Sequence, residues 1–431
     1  MTKIVAFLPA KGTSSRIENK NTKLFDGKEL FMHTLQKLMA CDFIDEVYLD
    51  SESKDIFKIA SEIPCKKLVR NSSLANNKTD GNVLFMNEVN NVNADIYIQI
   101  LCTSPFIEIE TIKKGVEILK KNKKNDSVVL VKRDKLYTWG EEGPNYNKKR
   151  IPNSKDLPDT IIETMGLYII RKDAAKKSKG RIGESPYLLK ASPLEAIDVN
   201  YPDDFKLAEL IQAGKREKES KFLENIKNHL SSAMLSDILD DLGTRGLIKG
   251  LKPNFPIKIF GRAKTLKLRK IRKGESYEGI YDALKSYETI VNNDIIVVEN
   301  ATPDFAYFGE MNANLAIRSG AAGAIIGGKT RDSMEVKKLN FPVFSSGTTC
   351  RDVRKRAVVE SMNKKIKLEK ISIQEGDLIF GDSEGIIVIP RKLEAKVFEK
   401  SFDVINTEKN ILSDIANNLS PEEIIKKNGF F

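Results

Sequence analysis

Three features of this 431-residue chain predict two α/β domains in tandem. Short apolar runs alternate with helical periods through roughly the first 212 residues, as they do where a parallel sheet carries helices on both faces. A charged stretch without apolar periodicity, Gly214-Lys-Arg-Glu-Lys-Glu-Ser220, then interrupts the pattern. From Leu230 a new series of apolar runs begins, interspersed with glycines. The expected domains are 1–214 and 221–431, with the boundary at 214–220.

The elements follow in order. Ile4-Val5-Ala6-Phe7-Leu8 is a continuous apolar run and reads as a buried strand over Lys3–Leu8. Further strands are expected at Glu46–Asp50, Lys67–Val69, Ile96–Leu101, Ser127–Leu130 and Met165–Ile170. Phe31–Ala40 and Ile109–Lys121 place apolar residues three and four apart, as helices do. In such sheets ligands sit beyond the carboxyl ends of the strands, where the loop 9–21 falls. In the second half, Leu230–Gly243 reads as an amphipathic helix with Ser231 or Ser232 as N-cap and Gly243 past its end. Apolar runs at Lys264–Leu268, Asp294–Val298, Ala324–Ile326, Val343–Ser345 and Ile386–Ile389 complete a second mixed α/β domain.

Composition narrows the function classes. With 41% hydrophobic and 30% charged residues the chain is a folded globular protein rather than a disordered one. No apolar run approaches the roughly 20 residues of a membrane helix, and the N-terminus lacks a secretory pattern. Cys41, Cys65, Cys102 and Cys350 are far apart without Cys-x-x-Cys spacing, which argues against a zinc site or a disulfide framework. A cytoplasmic protein with reduced thiols is expected. The net charge of +11 comes mostly from lysines in helical faces and loops, without an aromatic-interleaved binding module. Neither a nucleic-acid nor a membrane partner is expected; small anionic substrates suit the positive potential. His33 and His229 lie far from every motif.

The chemistry begins in Leu8-Pro-Ala-Lys-Gly-Thr-Ser-Ser-Arg-Ile-Glu-Asn-Lys-Asn21. A turn rich in glycine and hydroxyls points backbone N–H groups at one spot, and Lys11, Arg16, Lys20 and Lys23 surround it, as a polyphosphate cradle requires. Neither of the two common phosphate loops is present. The stretch resembles the signature of the CMP-sugar-acid synthetases, the cytidylyltransferases for sialic, legionaminic, pseudaminic and related ulosonic acids. Pro9, Ala10, Gly12, Ser14, Arg16, Ile17, Lys20 and Asn21 match it; Lys11, Thr13, Ser15 and Glu18 depart from it. The resemblance implies a Rossmann-like nucleotidyltransferase sheet and CTP as substrate. It places Ala10, Gly12, Ser14 and Asn21 at the nucleotide, and Lys11, Arg16 and Lys20 at its phosphates. Arg70 sits where the family places a substrate-contacting arginine. In Gln99–Ile107, Thr103, Ser104 and Pro105 are kept, while Leu101 and Ile107 stand where the family has glutamine and arginine. A second segment, from Arg181–Leu189 through Glu195–Phe205, matches the family's end, where two aspartates hold Mg²⁺ (or Mn²⁺). Here the pair is Asp198 and Asn200, whose amide oxygen coordinates without adding charge.

In the second half, Gly309-Glu-Met-Asn-Ala313 opens a helix whose free N–H groups suit a carboxylate, with Gly309, Met311 and Asn312 at that end. Gly323–Asp332 ends a strand with Arg331 and Asp332 side by side, with 20 residues between Glu310 and Arg331. Residues 225–400 resemble the regulator-of-ribonuclease-activity A family, which includes the class II 4-hydroxy-4-methyl-2-oxoglutarate aldolases. The matching segments include Gly261-Arg-Ala-Lys-Thr265, Phe341-Pro-Val-Phe-Ser345 and Gly376–Pro390. The resemblance implies a swivelling-type α/β domain and a homo-oligomer, a trimer or hexamer formed through this half. It also implies a divalent metal on Asp332 assisted by Glu310, and Arg331 binding a 2-oxo acid. Gly327 departs where many relatives have aspartate. Together the halves suggest a bifunctional enzyme acting on CTP, a sugar acid and a 2-oxo acid. The alternative is that one half serves as a scaffold.

Overall fold

In a computed structural model, which describes residues 2–76 and 78–429, the chain forms two compact units, Met1–Ile211 and Gln212–Phe431.

Unit 1 is built on a seven-stranded sheet in the order Pro186–Lys190, Ser127–Asp134, Thr160–Arg171, Ile96–Ile100, Ile4–Pro9, Glu46–Ser51, Lys66–Val69. The Ile4–Pro9 strand is buried along its whole length because both faces of the sheet are covered. Ile4, Ala6 and Leu8 pack with Phe31 and Leu35, while Val5 and Phe7 point to the other face against Phe85 and Val89. The sheet is not wholly parallel, as the sequence pattern suggests. Thr160–Arg171 runs antiparallel to both of its neighbours. Between Asp134 and Thr160 there is no α-helix, only a single 3-10 turn at Ser154–Asp156, to carry the chain across the sheet, so it returns in the opposite direction. The expected helices appear at Leu30–Met39 and Ile109–Lys121.

Unit 2 holds a second mixed sheet, in the order Leu247–Ile248, Ile386–Ile389, Leu378–Gly381, Ile259–Lys270, Asp294–Asn300, Gly323–Ile326, Val343–Ser345, Lys252–Pro253, with Ala357–Met362 also paired to Ile259–Lys270. Ser231 caps the Ser232–Asp241 helix by accepting the Met234 N–H at 3.1 Å, and Gly243 beyond its end has φ 68°. Gly261 is obligatory for packing: a Cβ there would meet the Asn293 carbonyl oxygen at 2.1 Å. Gly327 is similarly enclosed, with Leu368 Cδ2 at 2.6 Å and the Val298 carbonyl oxygen at 2.9 Å from a Cβ, so an aspartate does not fit.

The stretch 214–220, expected to mark the boundary, begins two residues after the division between the units. It lies inside a continuous helix, Pro202–Lys227. Lysine, arginine and glutamate are strong helix formers, and charge pairing replaces the missing apolar periodicity. Glu219 binds Arg262, Glu217 pairs with Lys221 at 3.3 Å, and Arg216 reaches Asp294 at 3.6 Å.

Asp294 is 1% exposed, and burial pushes its carboxyl up to about 6 despite Lys264 and Arg216 nearby. A raised carboxyl pKa stabilises the fold most when the group is protonated. The contribution is full below about pH 4 and is lost as pH rises through about 6, a loss of roughly 3 kcal/mol. In urea denaturation of unit 2 between pH 4 and 8, Asp294→Asn should remove this decline relative to the parent chain; parallel pH profiles would contradict it.

Candidate functional site

The loop that follows Ile4–Pro9 leaves the carboxyl end of a central strand and is fastened at three points. Ala10 N donates to the Asp50 carbonyl at 2.8 Å. Gly12 N donates to Glu52 Oε1 at 2.7 Å. Asn21 Nδ2 donates to the Lys11 carbonyl at 2.8 Å, and Asn21 Oδ1 accepts from the Cys102 thiol at 3.1 Å. Gly12 lies so close to the next strand's end that a Cβ would meet Ser53 Cβ at 2.7 Å.

The fastened loop forms one wall of a cavity of about 240 Å³. Lys11, Ser14, Arg16, Lys20, Asn21 and Arg70, six of the residues expected from the sequence, line it together. Lys20 is buried, and its ammonium donates to the Val199 carbonyl at 2.8 Å. Burial is the largest influence on it and holds its pKa below the ordinary lysine value. Arg16 lies over the Tyr201 ring at 5.3 Å. Ala10 is buried and acts through its backbone. Of the two departures, Leu101 lines the cavity, whereas Ile107 is fully buried in the core, where an arginine would lack water.

Arg70 is not a freely presented cation. Its Nε and one terminal nitrogen bond Glu52 Oε2 at 3.1 and 2.9 Å, and the other reaches Asp50 Oδ2 at 3.1 Å. Asp50 belongs to a buried chain that the sequence did not reveal. Asp50 Oδ1 and Glu88 Oε1 are both enclosed without a hydrogen-bond partner when both groups are ionised. Burial raises both carboxyls, Glu88 far more; the Asp50 charge raises Glu88 further, whereas the hydrogen bond from Glu88 works to lower Asp50. A proton retained by Glu88 and donated to Asp50 resolves both orphaned oxygens at once. The other Glu88 oxygen accepts from Gln99 Nε2 at 2.7 Å.

Asp198 and Asn200 adjoin this wall through Val199, whose carbonyl binds Lys20. Asn200 Nδ2 donates to Asp198 Oδ2 at 2.5 Å. Asp198 Oδ1 is buried without a partner. One orphaned carboxylate oxygen fits a magnesium or manganese ion that takes its remaining oxygens from a ligand's phosphates. Asn200 orients Asp198 in this arrangement; its amide nitrogen, not its oxygen, faces the carboxylate.

Unit 2 brings its own expected residues together. Gly309 precedes the Glu310–Ser319 helix, and a Cβ there would meet Asp332 Oδ2 at 2.5 Å. That oxygen accepts the Glu310 N–H at 3.3 Å. Asp332 adopts the left-handed conformation, φ 53°, at the start of Ser333–Lys338. Arg331 binds Asp352 Oδ2 at 2.7 Å, a partner the sequence did not suggest. Arg331 and Asn312 line a cavity of about 440 Å³ with Tyr281, Tyr287, Tyr307 and Arg354. Asn312 itself donates to the Tyr307 carbonyl at 2.9 Å. Met311 is 71% exposed and is not among the cavity residues. Glu310 meets Asp332 through its backbone amide, not its carboxylate, and no group of three or more His, Cys, Asp or Glu suited to a metal occurs among the described residues.

Two substitutions separate the charged from the neutral member of the buried pair. Glu88→Gln, which keeps a donor toward Asp50, should change unfolding stability by less than about 1 kcal/mol. Asp50→Asn removes a charge from Arg70 and should cost about 3 kcal/mol. Equal losses in denaturant unfolding would contradict the assignment of the proton to Glu88.

Comparison with known proteins follows the same division. Residues 5–151 match the cytidylyltransferase family, and residues 232–388 match the RraA-like family, described as Aldolase/RraA. Protein DlpA of Legionella pneumophila is 28% identical over 211 residues, 48% of this chain and 34% of DlpA. This chain thus spans about a third of that relative's length. A protein of Halalkalibacterium halodurans, provisionally named 4-hydroxy-4-methyl-2-oxoglutarate aldolase, is 31% identical over 175 residues, 40% of this chain and 78% of the relative. The CMP-N,N'-diacetyllegionaminic acid synthase of Legionella pneumophila is 28% identical over 222 residues, 48% of this chain and 95% of the synthase. The chain therefore joins a cytidylyltransferase domain, similar to the CMP-legionaminic and sialic acid synthases, to a domain that belongs to the RraA-like aldolase family.

Proposed function

We propose that unit 1 transfers a cytidylyl group from CTP to a ulosonic sugar acid, giving the CMP-sugar and pyrophosphate. The observation that carries this reading is a buried ammonium, Lys20, on the wall of a cation-lined cavity, next to the half-buried Asp198, one of whose carboxylate oxygens is enclosed without a partner. The sugar acid's anomeric hydroxyl attacks the α-phosphorus as the bond to pyrophosphate breaks. This chemistry needs positioned positive charge and no nucleophilic side chain. Lys11, Arg16 and Lys20 hold the phosphates and neutralise charge on the departing pyrophosphate. Gly12 and Ser14 shape the loop against them, and Asn21 fixes that loop. A divalent ion bound between Asp198 and the nucleotide supplies Lewis-acid polarisation of the α-phosphate.

For unit 2 a second reading is favoured by the Arg331–Asp352 pair, which engages the expected oxo-acid-binding arginine within the fold. We read it as a domain of aldolase ancestry whose role is assembly into a homo-oligomer.

Pyrophosphate release from CTP, with magnesium and a panel of ulosonic acids, tests the first reading. One acid should support release. Asp198→Ala should abolish it, and Lys20→Ala should lower kcat on the order of 100-fold. Because Lys20 titrates below the ordinary lysine value, activity should fall on the alkaline side as it deprotonates, and Lys20→Arg should move that limb upward. No release with any acid would refute the assignment. Pyruvate formation from 4-hydroxy-4-methyl-2-oxoglutarate with added magnesium, lost in Asp332→Ala, would refute a purely structural unit 2.

A further inference from the structure

Arg181 was prominent in the sequence only as the first residue of a matched segment, yet the surrounding structure is arranged to hold its guanidinium in one place. Its loop is fastened by side chains from elsewhere in the unit. Asn82 Oδ1 accepts the Arg181 N–H at 3.2 Å. Asp126 accepts the N–H groups of Glu184 and Ser185 at 2.8 and 3.1 Å, and Ser127 Oγ accepts that of Gly183 at 2.9 Å. Gly180 and Gly183 permit these approaches; a Cβ would meet Asn82 at 2.7 Å and Asp126 at 2.3 Å.

The guanidinium carbon lies 3.9 Å from the centroid of the buried Tyr168 ring. Its other side lies against Gly81, where a Cβ would come within 2.8 Å of it. Gly81 and its neighbour Asp80 line the same cavity as Lys11, Arg16 and Lys20. The Tyr168 hydroxyl is within electrostatic reach of both Arg181 and Asp198. Arg181 is thus a fixed cation at the edge of the cavity.

Among the described residues its guanidinium makes no direct ion pair with a carboxylate; the nearby Glu163 carboxylate is taken up by the Tyr168 hydroxyl. Among the described residues, Arg181 donates only long hydrogen bonds, to Gln99 Oε1 at 3.4 Å and to Met165 Sδ at 3.8 Å, and both acceptors are neutral. Met165 reaches that position in the left-handed conformation, φ 60°, within an irregularity of strand pairing between Glu163 and Tyr168. A half-exposed guanidinium stacked on an aromatic face, with its edge unneutralised, is suited to fork-like binding of a carboxylate. Arg70, the arginine expected to contact substrate, is already held by Glu52 and Asp50.

We infer that Arg181, held on Tyr168 beside Gly81, binds the carboxylate of the acidic co-substrate and so selects sugar acids over neutral sugars. The inference rests on the cytidylyltransferase reading of the same cavity. Calorimetric titration of the full chain tests it. The protein is saturated with CTP in metal-free buffer, and N-acetylneuraminic, N,N'-diacetyllegionaminic and pseudaminic acids are added, each beside its methyl ester. At least one acid should bind more tightly than its ester by about tenfold or more. Arg181→Gln should abolish that preference while leaving ester and CTP affinities unchanged, and Arg181→Lys should restore part of it. Failure of CTP to bind the parent chain even after magnesium is added would count against the cytidylyltransferase reading itself. With CTP bound, an Arg181→Gln chain that still prefers the acid, or a parent chain that binds none of the acids, would overturn the assignment of Arg181.

Discussion

The carboxylate of Glu52 is the constraint on which the cavity of unit 1 depends. One oxygen receives the Gly12 N–H and the other receives two N–H groups of Arg70. This single group joins the loop after the first strand to the residue that ends the edge strand, across the strand between them. Arg70 in turn holds Asp50, and Asp50 shares a proton with Glu88. In a low-dielectric interior such a chain is stable only when every member is satisfied. The proton on Glu88 is therefore part of the structure: without it, two enclosed carboxylates would face one another with one guanidinium between them and Glu52. The positions of Lys11, Ser14 and Arg16 are set by this framework rather than by their own contacts alone.

The two units treat charge differently. Unit 1 leaves a carboxylate oxygen of Asp198 unpartnered among cations and stacks Arg181 on an aromatic ring without an acid, so its cavity has interactions left to make. In unit 2 the expected arginine already has Asp352, and the Asp332 carboxylate receives the backbone of the Glu310 helix. The first arrangement is suited to ligand binding; the second spends much of its polar capacity on its own fold. The same contrast separates Arg16, which lies over Tyr201 at the cavity, from Arg262, which is enclosed by Glu219 and Glu394.

What was legible in the sequence follows from the range of the interactions. Strands such as Ile4–Pro9 and helices such as Ile109–Lys121 depend on local periodicity and were readable to within a residue or two. Lys11, Arg16, Lys20 and Asn21 were readable because they lie within one short motif, and the structure places them on one wall. Glu52, Glu88 and Arg181 were not singled out, because each gains its meaning from a residue distant in sequence: Gly12, Asp50 and Tyr168. The helical conformation of 214–220 was not legible, because the stretch lacks apolar periodicity and charge pairs hold the helix there instead. Asp352 carried no signal, since it stands outside the Arg331–Asp332 motif.

The most direct test of this account is a calorimetric titration of CTP into the Glu52→Gln chain. Glutamine can still accept the Gly12 N–H but cannot neutralise Arg70, so the loop should lose its fixed position and CTP affinity should fall by about tenfold or more. Unchanged or tighter binding would contradict the account, and would show that Glu52 occupies the phosphate position rather than preparing it.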